Sequence, residues 1–144
     1  MRAAVAKANE LVPELPLIAG GKSFGGRMTS QAQAEMPLPG VRGLAFLGFP
    51  LHPARKPSTA RAEHLAGITV PMLFLQGERD QLADSSLMEQ FVESMDDRAT
   101  LNLFPEADHS FHVSARSGRT DDQVMSAVLD ALTAWVRKLG MRPE

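Results

Sequence analysis

Pro16-Leu17-Ile18-Ala19-Gly20-Gly21-Lys22-Ser23-Phe24-Gly25-Gly26 is the stretch from which the rest of the chain is read. A short apolar run ends in glycines, one serine follows, and two more glycines open a segment with helical spacing. Gly21-Lys22-Ser23-Phe24-Gly25 fits G-x-S-x-G, the pattern of a sharp strand-to-helix turn that holds a serine hydroxyl out as a nucleophile. Side chains two residues to either side of such a serine are expected to collide, so glycine is needed at positions 21 and 25. The turn also aims the first N–H groups of the next helix at the point where an oxyanion forms.

The same letters permit a phosphate-binding loop, G-x-x-x-x-G-K-[ST]. That pattern requires glycine at position 16, where Pro16 stands, and a flexible loop where Leu17, Ile18 and Ala19 read as strand. Nucleotide binding is set aside on those grounds. A Gly-rich turn with an incidental serine is the other reading, and an isolated match does not separate it from the catalytic one. Residues downstream must decide.

The chain has 144 residues, enough for one domain with a core of its own, and residues 1–144 are read as a single domain. Its 44% apolar and 22% charged residues are ordinary for a globular protein. A net charge of -2 gives no reason to expect nucleic acid or an anionic membrane as partner. No cysteine is present, which removes disulfides and thiolate metal sites. No apolar run reaches the roughly 20 residues of a membrane helix. The N-terminus lacks a secretory apolar region, and Glu10 and Glu14 argue against a transit peptide, so a cytoplasmic location is expected.

Read in order, residues 2–12 predict a helix stopped by Pro13 and Pro16, followed by a strand over 17–20 and the glycine turn. The next helix runs from Phe24 to Met36, with Met28, Ala32 and Met36 on one side. Val41 to Phe49 is a nearly continuous apolar run, as in a strand covered on both faces. An irregular loop from Pro50 to Pro57 leads to a short helix over 58–66. Val70 to Gln76 is a second buried strand, closed by Gly77-Glu78-Arg79-Asp80. Ser86 and Glu89 suggest a capping box for a helix to about Met95, and Thr120 and Gln123 another for the last helix. Between these helices lie a strand over Thr100–Phe104 and a loop over Pro105–His112. Alternation of helices with buried strands predicts an α/β three-layer sandwich, a mostly parallel sheet of about four strands with helices on both faces.

Loops after strand C-termini share one edge of a parallel sheet, where sites collect. Ser23, Asp80 and His109 each fall in such a loop. Serine is a weak nucleophile until a base takes its proton; a neutral imidazole can do so, and a carboxylate can fix its tautomer and stabilise the imidazolium. Asp84 and Asp108 compete for the acid role. Asp84 sits at a helix start, where an N-cap explains it; Asp108 adjoins His109 in sequence, a poor geometry for mutual contact. His112 competes for the base role, while His52 and His64 precede the acid and read as loop or surface residues. An Asp108/His109/His112 metal cluster lacks convincing further ligands.

The combination of strand–GKSFGG–helix, then VPMLFLQGERD, then ADHSF, resembles the α/β-hydrolase superfamily near its dienelactone-hydrolase-like branch of small bacterial hydrolases. The resemblance spans almost the whole chain. It implies Ser23 as nucleophile, Asp80 as acid, His109 as base and the Phe24 backbone N–H as an oxyanion donor. Dienelactone hydrolase itself uses cysteine, so its substrate does not carry over to a serine. No cofactor and no metal are implied.

Relatives of this kind place several strands before the serine turn, with a loop often reading H-G-x-G that donates a second oxyanion N–H. That motif does not occur in this sequence, which looks like the C-terminal half to two-thirds of a hydrolase, whether a truncated product, a mis-assigned start or a natural short form. Two functions therefore stay open: hydrolysis of a small ester or related acyl substrate, and a non-catalytic hydrolase-fold module. Lys22 and Arg27 near the serine read first as solvated charges, with attraction of an anionic substrate as the alternative. The strand over 17–20 is expected at a sheet edge, with unpaired backbone and exposed apolar faces, where a second copy can pair to give a homodimer.

Overall fold

The computed structural model describes residues 1–140; residues 141–144, which the expected single domain also takes in, lie outside the described residues. Strands β1 (Leu17–Lys22), β2 (Val41–Leu47), β3 (Met72–Gly77) and β4 (Ala99–Phe104) alternate with helices α1 (Arg2–Leu11), α2 (Phe24–Glu35), α3 (Ser85–Glu93) and α4 (Asp121–Lys138). A 3-10 helix, Ala60–Gly67, stands between β2 and β3. All three strand pairs are parallel, and the sheet order β1-β2-β3-β4 follows the chain. The expected α/β sandwich is what the chain forms.

The two inner strands explain why the apolar runs are continuous. Every residue of β3 is buried, and its neighbours alternate between two separate cores. Phe46 and Phe74 face the layer of α1, α2 and α3, where Phe46, Phe49 and Phe74 meet edge-on or tilted at 5.0–5.7 Å between ring centroids. Ala45, Leu73 and Leu75 face α4, packing with Val124, Val128 and Trp135. Thr120 caps α4 through a complete capping box with Gln123, as its sequence predicts.

Three local expectations are corrected. The first concerns α2, whose stripe of Met28, Ala32 and Met36 on one side is not its buried face: the buried residues are Gly26, Thr29, Ser30 and Gln33, Ala32 packs against the core only partly buried, and Met36 is 57% exposed. The helix lies too close to the sheet for large side chains, since a Cβ on Gly26 would stand 2.6 Å from the Gly21 carbonyl oxygen. Small and polar groups fill the contact instead, each with a hydrogen-bond partner; Thr29 Oγ1 donates within reach of the Gly25 and Gly20 carbonyls, and Gln33 Oε1 accepts from Leu38 N–H. The second concerns the glycines around Ser23. A Cβ on Gly21 would meet Gly25 and Gly26 backbone at 3.1 Å, but one on Gly25 would meet nothing within 4 Å. Contact with the sheet therefore demands glycine at 26, not 25. The third is the cap of α3: Asp84, not Ser86, accepts the Leu87 N–H.

β1 is an edge strand, with only Ala19 buried. An apolar groove of about 370 Å³ lies between the face of β1 and β2, at Ala45 and Leu47, and the Leu132–Val136 side of α4. On its inner side β1 approaches β2 unusually closely at Gly20, where a Cβ would stand 1.8 Å from the Ala45 carbonyl oxygen. Gly20→Ala is expected to force these strands apart and to destabilise the fold by about 3 kcal/mol, the upper range of overpacking, read as a lowered urea midpoint.

Candidate active site

Ser23, Asp80 and His109 follow β1, β3 and β4, and parallel strands bring all three to the same sheet edge. Ser23 is the N-cap of α2, with φ 50° and ψ -123°, a strained combination for a residue with a Cβ. Its N–H is tied to the Leu47 carbonyl at 2.9 Å. Serine at a helix start normally caps the first turn, yet this side chain makes no such bond. Its hydroxyl goes instead to His109 Nε2, at 2.8 Å. The other ring nitrogen, Nδ1, stands 2.7 Å from Asp80 Oδ2.

Those contacts settle the proton positions by chemistry. A carboxylate only accepts, so Nδ1 carries hydrogen and Nε2 accepts from the Ser23 hydroxyl. Asp80 has no exposed side-chain surface. A buried carboxylate is tolerable only when fully hydrogen-bonded, and this one accepts from His109 Nδ1, from Gln76 Nε2 and, at Oδ1, from Leu82 N–H. Gln76 was not singled out by sequence reasoning; the available signal was one polar side chain in the otherwise apolar run Met72-Leu73-Phe74-Leu75.

The acid turn and the histidine loop are joined by backbone. Glu78 N–H donates to Phe104 O and Arg79 N–H to Ala107 O, at 3.0 and 2.9 Å. Gly77 permits the approach, since a Cβ there would stand 2.3 Å from the Asp108 carbonyl oxygen. Arg79 and Glu106 add an exposed ion pair across the same seam. Gly48, at φ +67°, lies beside His109, where a Cβ would stand 3.4 Å from the ring. A depression of about 250 Å³ opens beside the imidazole, lined by Ala54, Arg79, Gln81, Leu82, Asp108 and His109.

The competing residues are engaged elsewhere. Asp108 Oδ1 accepts from Ser110 and His112 N–H, an Asx turn that shapes the histidine loop. Asp84 caps α3, and its own N–H donates to His52 Nε2, whose Nδ1 donates to the Pro53 carbonyl. His64 Nε2 lies 2.7 Å from Ser30 Oγ, a second serine–histidine contact. It differs in kind: Ser30 is fully buried and its hydroxyl donates to the Arg27 carbonyl, so His64 must donate to it. That bond fastens α2 to the 3-10 helix. Burial and, secondarily, the Arg27 charge hold the His64 pKa below its ordinary value. Lys22 is exposed, while Arg27 is half-buried with its Nε unpartnered. Among the described residues no group of three His, Asp or Glu side chains is arranged to hold a metal ion, and no helix is long and apolar enough to cross a membrane.

This geometry coincides with a family match. The profile of the alpha/beta hydrolase domain covers residues 1–137, and the chain belongs to that family. Solved structures share its fold. A serine hydrolase without lid from Xanthomonas campestris aligns at TM-score 0.65 and 21% identity, over 93% of this chain and 54% of that one. A serine hydrolase homologue from Coxiella burnetii aligns at 0.62 and 18%, over 90% and 55%. The esterase domain of a Rhodothermus marinus protein aligns at 0.68 and 17%, over 95% and 66%. The chain thus spans about half the length of the first two.

His112, exposed, bonds through Nδ1 to Asp121, at 2.9 Å from Oδ2. That hydrogen bond, then the Asp121 charge, raises the His112 pKa above 6.5, and the same bond lowers that of Asp121 below 3.8. The His112 contribution is complete below 6.5 and is lost as pH climbs through its raised folded value; the Asp121 contribution is present above 3.8 and is lost as pH falls through its depressed one. The pair therefore contributes most between those limits, and little in energy because it is solvated. In Asp121→Asn, the His112 titration followed by NMR is expected to return toward 6.5.

Proposed function

We propose that this chain is a serine hydrolase of small esters or related acyl compounds, with Ser23 as nucleophile, His109 as general base and acid, and Asp80 as orienting acid. One observation carries the reading: the unbroken hydrogen-bond chain from Ser23 Oγ through both ring nitrogens of His109 to a buried carboxylate. The fold shared with esterases supports the choice of ester over other acyl groups, and the GKSFGG, QGERD and ADHSF segments support the dienelactone-hydrolase-like branch.

In the proposed reaction the Ser23 proton passes to His109 Nε2 as Oγ attacks the substrate carbonyl carbon. The carbonyl π pair moves to oxygen, and the Phe24 N–H, at the first residue of α2 where no intrahelical acceptor exists, donates to that oxyanion. Collapse breaks the bond between the acyl carbon and the alcohol oxygen; the alcohol leaves with the proton from His109, and the acyl group stays on Ser23. Water then gives a proton to His109, attacks the acyl carbon, and releases the acid as Ser23 regains its proton. Asp80 stabilises the imidazolium in both halves without taking the proton.

A fluorophosphonate probe tests the nucleophile. Wild type is expected to take the label, and Ser23→Ala to lose it entirely; His109→Gln should slow it by up to about 10⁶-fold, the scale of removing the base. Equal labelling of wild type and Ser23→Ala removes Ser23 from the mechanism. A folded protein that neither labels nor turns over activated aryl esters favours the non-catalytic module.

The unpaired edge of β1 supports pairing with a second copy of the chain. Sedimentation is expected to show a dimer, and a stable, monodisperse monomer counts against it.

A further inference from the structure

We infer that Gln76 is a positioning residue of this site: its amide fixes the Asp80 carboxylate for His109 by tying the acid turn to the loop after β2. The inference rests on the serine-hydrolase reading above.

Gln76 is fully buried near the end of β3, the one polar side chain in a strand whose other residues pack into the two cores. Packing alone gives no reason for an amide there, because a buried amide is costly unless both of its ends are bonded. Here both are. Oε1 accepts from Phe49 N–H at 2.9 Å, and Nε2 donates to Asp80 Oδ2 at 2.5 Å. The orientation is fixed by its partners. Flipping the amide would set NH2 against an N–H at one end and a carbonyl oxygen against a carboxylate at the other.

Two consequences bear on His109. Asp80 Oδ2 receives the imidazole and the Gln76 amide together, so the amide limits rotation of the carboxylate about its terminal bond. Phe49 follows Gly48, whose backbone lies beside the His109 ring with room for no more than a tight Cβ contact. One side chain thus joins the acid to the backbone that walls in the base. The ionisable groups nearby do not compete for it. His109 shares its oxygen; His52 bonds Pro53 and Asp84; Asp84 caps α3; Arg79 turns outward to Glu106; Asp108 accepts within its own loop.

Gln76→Glu separates positioning from packing. A protonated glutamic acid keeps both bonds, donating its O–H to Asp80 and accepting from Phe49; an ionised one sets two carboxylates against each other. The rate of fluorophosphonate labelling is compared across pH in wild type and in the variants. In Gln76→Glu it should approach wild type in acid and then descend as the new carboxyl ionises. Gln76→Met, which has no donor, should be slower by about ten- to a hundredfold at every pH, the scale of a misplaced catalytic group. The Nδ1 proton resonance of His109 gives a reading that needs no reaction: it should shift in Gln76→Met, and move with pH in Gln76→Glu. Variants that match wild type in both profile and resonance overturn the inference. If wild type takes no label but the resonance responds as expected, the hydrolase reading fails and the positioning of Asp80 stands.

Discussion

A carboxylate with no exposed surface is the constraint from which the C-terminal edge of this sheet is built. Asp80 cannot be buried as an anion unless donors meet it from several directions. They arrive from β3 itself, from the turn that follows, and from the loop after β4. Those segments must therefore hold a fixed relation to one another. The backbone bonds between Glu78–Arg79 and Phe104–Ala107 supply it, and Gly77 makes the approach sterically possible.

Glycine plays the matching part on the other side of the edge. Gly20 brings β1 against β2, and Gly26 brings α2 against β1, so Ser23 is carried on a turn with no slack. The small and polar inner face of α2 follows from that closeness. Where a looser helix would bury methionines, this one buries Thr29, Ser30 and Gln33, each hydrogen-bonded. The oxygen of Ser23 and the ring of His109 lie 86 residues apart in the chain, yet meet at 2.8 Å because both ends of the assembly are pinned by backbone contact.

The fold was legible in the sequence because its signals are local and redundant. Buried strands read as apolar runs, prolines and glycines mark the turns, and Thr120 with Gln123 announces α4. The positions of Ser23, Asp80 and His109 were legible for a topological reason: each follows a strand, and a parallel sheet sends those ends to one edge. What could not be read is what depends on distance between segments. The inward face of α2 follows from its separation from β1, which periodicity does not encode. Gln76 looked like the last residue of an apolar strand, because its partners Phe49 and Asp80 are identified only when three loops are in place. Asp84 and Ser86 are both reasonable caps, and the local path of the chain chose between them.

Ser23 occupies the position from which serine usually ties off a helix, and its hydroxyl is turned away. The opening turn of α2 is consequently a place of local frustration: the amides that a capping oxygen would have satisfied are left uncommitted, and the strained backbone at Ser23 is held only by its surroundings. In that sense the chain forgoes local stability at a single residue, and the hydroxyl that would have supplied it is committed across the sheet edge to the ring of His109.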